Sequence, residues 1–170
     1  MTASEMQRVI VIGCCGSGKS VFSRALSAAT GLPLCHLDLL YWGADGKTVP
    51  KAVFREKLRQ ELNKEAWIID GNYRSTMELR MQACDTVFFL DYPQEVCIEG
   101  IMSRNGKPRP DMPCITPEVE DAEFMEAVKR YNTRNRPEVL ELLDRYSDKN
   151  IIIFKSRNEA DEFLSHISKE

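Results

Sequence analysis

The chain lacks the features that would set it apart from an ordinary globular protein. No apolar run approaches the roughly 20 residues of a membrane-spanning helix. Met1 to Gln7 contains no signal-peptide core, so a cytoplasmic protein is expected. There are only two histidines, and the six cysteines, at 14, 15, 35, 84, 97 and 114, form no C-x-x-C pair. That scarcity argues against a zinc site. In a reducing compartment the cysteines read as small buried apolar side chains. A basic surplus is also missing. Lys and Arg number 23 against 26 Asp and Glu, a net charge of −3, which argues against a protein built to coat nucleic acid. Repeats, low-complexity segments and shifts of composition are absent. With 43% apolar and 29% charged residues in 170, the chain suits one domain, residues 1–170, with its own core.

Glycine is scarce as well, nine in all, yet three fall within six residues. Gly13-Cys14-Cys15-Gly16-Ser17-Gly18-Lys19-Ser20 reads G-x-x-x-x-G-K-S, the phosphate-binding P-loop pattern. Glycines let successive backbone N–H groups point into one concavity. A helix starting near Gly18 adds its positive end. Lys19 is expected to reach the β- and γ-phosphates, and Ser20 to ligate Mg²⁺. Gly13, Cys14, Cys15, Gly16, Ser17, Gly18, Lys19, Ser20 and Val21 thus form the expected ATP-binding set. The context fits: Arg8 to Ile12 is a strand-like apolar run, and Val21 to Ala29 has helical periodicity, with Val21, Phe22, Ala25, Leu26 and Ala29 on one face. Gly31 is a natural stop. Cys14 and Cys15 lie among N–H donors, a setting that lowers a thiol's pKa and opens a route to redox inactivation.

The remaining pattern alternates strands and helices. Strands are expected at Pro33–Asp38, Ala66–Asp70, Thr86–Asp91 and Asn150–Phe154. Leu39 to Val49 reads as a loop. Helices are expected from Pro50, over about Ser75–Ala83, from Pro93 to about Arg104, over Glu118–Thr133 and Pro137–Tyr146, and after the capping box Ser156-x-x-Glu159. Asn105 to Pro117 is rich in proline and aperiodic, and reads as a lid. The expectation is a three-layer α/β/α fold with a five-stranded parallel sheet. Ligands bind such sheets at the carboxyl ends of the strands, where the P-loop, Asp38, Asp70 to Arg74 and Asp91 all fall.

Several residues carry the expected chemistry. Asp70 ends an apolar strand and suits Mg²⁺ or its waters. Asp91 is its rival, though the Tyr-Pro after it reads as a structural turn. Asp38, followed by Tyr41 and Trp42, suits a base for an acceptor hydroxyl beside stacking rings. Arg104, Arg109, Arg130, Arg134 and Arg136 lie in or around the lid, where guanidinium groups would stabilise a transferring phosphoryl.

This arrangement resembles the adenylate kinase-like P-loop kinases over most of the chain. Gly13 to Ser20 resembles their phosphate loop, and Trp67-Ile-Ile-Asp70-Gly71-Asn72-Tyr73-Arg74 resembles their L-L-D-G-F-P-R segment. The resemblance implies magnesium for Asp70 and acceptor phosphate for Arg74; Asn72-Tyr73 replaces the family's Phe-Pro, so the acceptor contacts expected at Asn72 differ from the family's. Arg104 resembles the pre-lid arginine, and Arg134 and Arg136 the pair that closes on phosphates. Lys155-Ser156-Arg157 resembles the loop passing the adenine, which assigns Lys155 and Arg157 to the nucleotide. The whole chain also resembles a bacterial subgroup labelled DNA topology modulation proteins, through His36 to Trp42, Trp67 to Tyr73 and Gly106 to Met112. The T-G-D-x-x-R stretch that holds AMP in adenylate kinases is replaced here by Leu37 to Trp42, without arginine. A nucleoside or other hydroxylated acceptor therefore suits the site better than AMP.

The expected function is an ATP- and Mg²⁺-dependent phosphotransferase acting on a nucleoside, nucleotide or other small hydroxylated acceptor. The rival is an ATP-binding regulator with little turnover. Plain hydrolysis is weaker, since no glutamine or glutamate is clearly placed to orient water.

Overall fold

The computed structural model describes residues 6–115 and 118–167. Its centre is β1 (Arg8–Gly13), buried from Val9 onward. β1 pairs in parallel with β3 (Trp67–Asp70) on one side and β4 (Thr86–Leu90) on the other. β2 (Leu34–His36) extends the sheet beyond β3, and β5 (Asn150–Phe154) beyond β4. The order is β2-β3-β1-β4-β5, parallel throughout.

The apolar strands alternate their side chains between two helical layers. Val9, Val11, Ile68 and Phe88 face α1 (Lys19–Thr30), α5 (Gln94–Arg104) and α8 (Arg157–Ile167), meeting Phe22, Leu26, Ile101 and Ala160. Ile10, Ile12, Trp67, Ile69 and Phe89 face α3 (Lys51–Leu62), α4 (Arg74–Ala83) and α7 (Tyr131–Arg145), meeting Phe54, Leu58, Met77 and Leu143. Burial on both faces is why β1, β3 and β4 read as continuous apolar runs. The three-layer α/β/α architecture with five parallel strands is as expected.

Local departures have local causes. β2 stops at His36, and Leu37–Tyr41 forms α2, so Asp38 sits in a helical first turn and not at a strand end. A single helical turn carries too few residues for a legible period. The pair of helices expected on either side of Asn135 is shifted: α6 is Ala122–Lys129 and α7 begins at Tyr131. Asp121 caps α6 by accepting from the Phe124 N–H at 2.9 Å, which sets its start. Pro137 lies inside α7, where it removes one amide donor. Burial of Tyr131 before it and Val139 and Leu143 after it holds the helix across that point. Val21 is 64% exposed, because it faces the cavity beside α1 and not the core. The capping box forms by one bond as drawn, Glu159 N–H to Ser156 Oγ at 3.3 Å. The Glu159 carboxylate instead accepts from the Lys155 N–H at 2.7 Å.

Successive crossovers leave β1 to opposite sides, toward β3 and β2 and then toward β4 and β5. The crevice at this reversal lies at the carboxyl ends of β1 and β3, where the loops after Gly13 and Asp70 open.

Candidate active site

The loop after β1 wraps the start of α1. Gly18 caps the helix with φ of 94°, a conformation open to glycine. Gly16 meets α5 backbone to backbone: a Cβ on Gly16 would lie 2.0 Å from the Cys97 carbonyl oxygen, and one on Gly100 2.1 Å from the Gly16 oxygen. The Lys19 ammonium donates to the Gly13 and Cys14 carbonyls at 2.9 and 3.0 Å, so it is folded over the loop. Asn72 ties the loop to the end of β3. Its Nδ2 donates to the Gly13 oxygen at 2.6 Å, and its Oδ1 accepts from the Gly13 N–H at 3.2 Å.

Arg80 holds Asn72 in place from α4. This fully buried guanidinium donates to the carbonyls of Gly71, Asn72 and Tyr73, at 2.7, 2.5 and 3.3 Å. Burial lowers its pKa to about 10, so it stays charged at neutral pH. Tyr73, with φ of 26°, is the one non-glycine residue at positive φ among the described residues. Its hydroxyl donates to Asp38 Oδ1 at 2.5 Å. Burial raises the Asp38 carboxyl above its usual range, against the pull of the Tyr73 hydrogen bond and of Lys19. The rings of Tyr41, Trp42, Phe54 and Tyr73 pack edge to face or tilted, at centroid separations of 4.9 to 5.6 Å.

A cavity of about 950 Å³ joins these parts. Its lining includes Cys15, Gly16, Ser17, Gly18, Lys19, Ser20 and Val21 of the loop and helix start, and Asp38, Tyr41, Trp42 and Asn72 from the segments after β2 and β3. Arg104, Arg109 and Arg157 also line it. Arg104 makes a bidentate pair with Glu118, at 2.8 Å for both bonds, and Arg109 approaches the same carboxylate at 3.7 Å. Arg157 donates to the Val96 carbonyl at 3.2 Å.

Other expected residues lie elsewhere. Asp70 is buried and does not line the cavity, with Oδ2 2.8 Å from His36 Nδ1. The carboxylate at the Ser20 hydroxyl is Asp111, which accepts from Ser20 Oγ at 2.9 Å. Arg74 pairs with Glu138 beside a second cavity. Arg130 pairs with Glu126 at 2.9 Å, and Arg134 is exposed, away from the lining of the large cavity. Arg136 and Lys155 both clamp Asp91, at 2.7 and 2.6 Å, and lie outside that lining too. Burial would raise the Asp91 carboxyl, but the Arg136 and Lys155 hydrogen bonds outweigh it and hold it below its usual value. Asp91 thus matches the structural reading of its Tyr-Pro turn. The expected activation of Cys14 is reversed. Its hydrogen bond with Cys97, and then burial, push the thiol far above its ordinary value.

Sequence reasoning missed Asp111, Arg80 and Glu118. Arg80 left a signal, being a charge at helical spacing among Met77, Met81 and Cys84. Asp111 follows Pro108-Arg109-Pro110, a stiff approach that marks a fixed carboxylate. Glu118 left none.

A glycine-rich loop opening a helix, at the switch point of a parallel sheet with helices on both faces, defines the P-loop NTPase fold. Solved structures agree. The shikimate kinase of Bacteroides thetaiotaomicron is 19% identical, with 96% of this chain and 97% of that chain covered and a TM-score of 0.57. The shikimate kinase of Aquifex aeolicus is 20% identical, with coverage of 94% and 92% and a TM-score of 0.53. That of Acinetobacter baumannii, solved with shikimate, is 16% identical, with coverage of 96% and 94% and a TM-score of 0.56. At these identities the likeness is one of fold. No family model and no curated protein sequence matches the chain.

Proposed function

We propose that the protein is an ATP- and Mg²⁺-dependent phosphotransferase acting on a nucleoside, nucleotide or other small hydroxylated acceptor. One observation carries the reading: a single cavity is lined both by Lys19 and Ser20 of the P-loop and by a half-buried carboxylate, Asp38. A transferring phosphoryl needs positive charge around it and a base on the acceptor hydroxyl, and little else from the protein. Lys19 turns from its loop carbonyls to the phosphates. Ser20 binds the cation through its hydroxyl. Asp38, oriented by the Tyr73 hydroxyl, accepts the proton of the acceptor hydroxyl. The aromatic side chains Tyr41 and Trp42 wall the acceptor end. Arg104 and Arg109 line the cavity and exchange Glu118 for phosphate oxygens, and Arg157 flanks the nucleotide. Residues 105–115 act as the lid; Thr116 and Pro117, also in the expected lid, lie outside the described residues.

The oxygen donors at Ser20 suit a hard cation. Among the described residues no three His, Cys, Asp or Glu side chains cluster as a metal cage. That fits a magnesium ion taken up with the nucleotide through one or two protein oxygens. Bound there, magnesium would neutralise charge on the phosphates.

An acceptor screen with coupled detection of ADP tests the proposal, covering nucleosides, monophosphates, small polyols and shikimate. ADP release that appears only with an acceptor supports a kinase. Nucleotide binding without any acceptor-dependent turnover, together with DNA binding that weakens steeply with salt, supports the regulator instead.

A further inference from the structure

We infer that Asp111, on the segment between α5 and α6, is the carboxylate that joins Ser20 in holding the nucleotide's divalent cation. The inference rests on the kinase reading of the cavity and assigns its metal site to a residue outside the sheet.

Geometry favours Asp111 over Asp70. Ser20 Oγ and Asp111 Oδ2 are 2.9 Å apart. Two oxygens on adjacent corners of a magnesium octahedron, with bonds of about 2.1 Å, stand about 3.0 Å apart. The pair is therefore already at the spacing a shared cation needs. The hydroxyl proton, now directed at Asp111, would turn away as the cation enters. Asp70 is committed to His36 and does not line the cavity.

Asp111 is also held in place. It is 5% exposed, and its neighbour Met112 is 9% exposed. Pro108 and Pro110 restrict the approach, and the Met112 N–H donates to the Arg109 carbonyl at 3.3 Å. Arg24 Nη1 stands 3.9 Å from Asp111 Oδ1. A cation bridging Ser20 and Asp111 would tie this segment to the start of α1. Closure over the nucleotide would then depend on the metal.

Calorimetric titration of a non-hydrolysable ATP analogue into the full chain, with EDTA or with magnesium, tests this. In the wild type magnesium should tighten binding by about tenfold or more. Asp111→Asn keeps the shape and a hydrogen bond to Ser20 but loses the charge. Its affinity in EDTA should stay within about threefold of wild type, while the magnesium gain falls below about threefold. Asp70→Asn should keep most of the gain. The inference is overturned if Asp111→Asn retains the full gain, if it weakens binding equally with EDTA and magnesium, or if Asp70→Asn alone abolishes the gain. A wild type that binds the analogue but ignores magnesium also overturns it. A wild type that binds no analogue at all brings down the kinase reading with it, a result distinct from all the others.

Discussion

At the scale of single residues, the decisive chemistry is charge placed against burial. Lys19 is the P-loop's own cation and lines the cavity, so on the kinase reading Lys19→Ala should lower phosphotransfer by about 10³-fold or more in a coupled ADP assay. Asp38 must be ionised to accept a proton, and its carboxyl is raised by burial. The turnover rate should therefore fall as pH drops through a value above the usual carboxylate pKa of about 3.9. Asp38→Asn should remove that acid limb and about 10²- to 10⁴-fold of the rate. Asp91 behaves in the opposite sense. Its folded pKa is depressed, so it stabilises the fold above the unfolded value of about 3.9, and that contribution is lost as pH falls through the lower folded value. Asp91→Asn should cost about 2 kcal/mol at neutral pH and flatten the acid side of the stability curve, as read by urea unfolding across pH. The place of Lys19 and Ser20 at the junction of loop and helix was legible because the P-loop is a local pattern. Asp111 was not, because it reaches Ser20 across 91 positions, and sequence spacing carries no record of that contact.

At the scale of elements, two contacts set the shape of the site. Arg80 of α4 satisfies three carbonyls of the loop after β3, and that loop holds Gly13 through Asn72. Arg80→Met would leave those buried carbonyls unpaired, so it should destabilise the fold by about 3 kcal/mol and loosen the P-loop. The second contact is α5 against Gly16. Gly100→Ala alters no P-loop residue, yet its methyl would meet the Gly16 oxygen at 2.1 Å. Nucleotide affinity should fall in titration calorimetry, with the helices otherwise intact by circular dichroism. The strands were readable from the sequence because β1, β3 and β4 are buried on both faces and so carry unbroken apolar runs. The helix boundaries near Asp121 and Pro137 were not. Tertiary burial of Tyr131, Val139 and Leu143 overrides the break that proline signals locally.

At the scale of the whole molecule, the strand order gathers residues that are distant in the chain. Reversal at β1 opens one crevice, and Lys19, Asp38, Asn72, Arg104 and Arg157 line it although they are far apart in the chain. The same topology sends Arg136 and Lys155 to Asp91 and Arg74 to Glu138, which binds helices and loops together away from the large cavity. The central claim is that the loop after β1 grips a polyphosphate. Titrating ADP and a non-hydrolysable ATP analogue with magnesium into the wild type and Lys19→Ala tests it most directly. One site per chain in the wild type, weakened about tenfold or more in the variant, is the predicted result. No binding of either nucleotide to the wild type, or equal affinity in the two proteins, would contradict it.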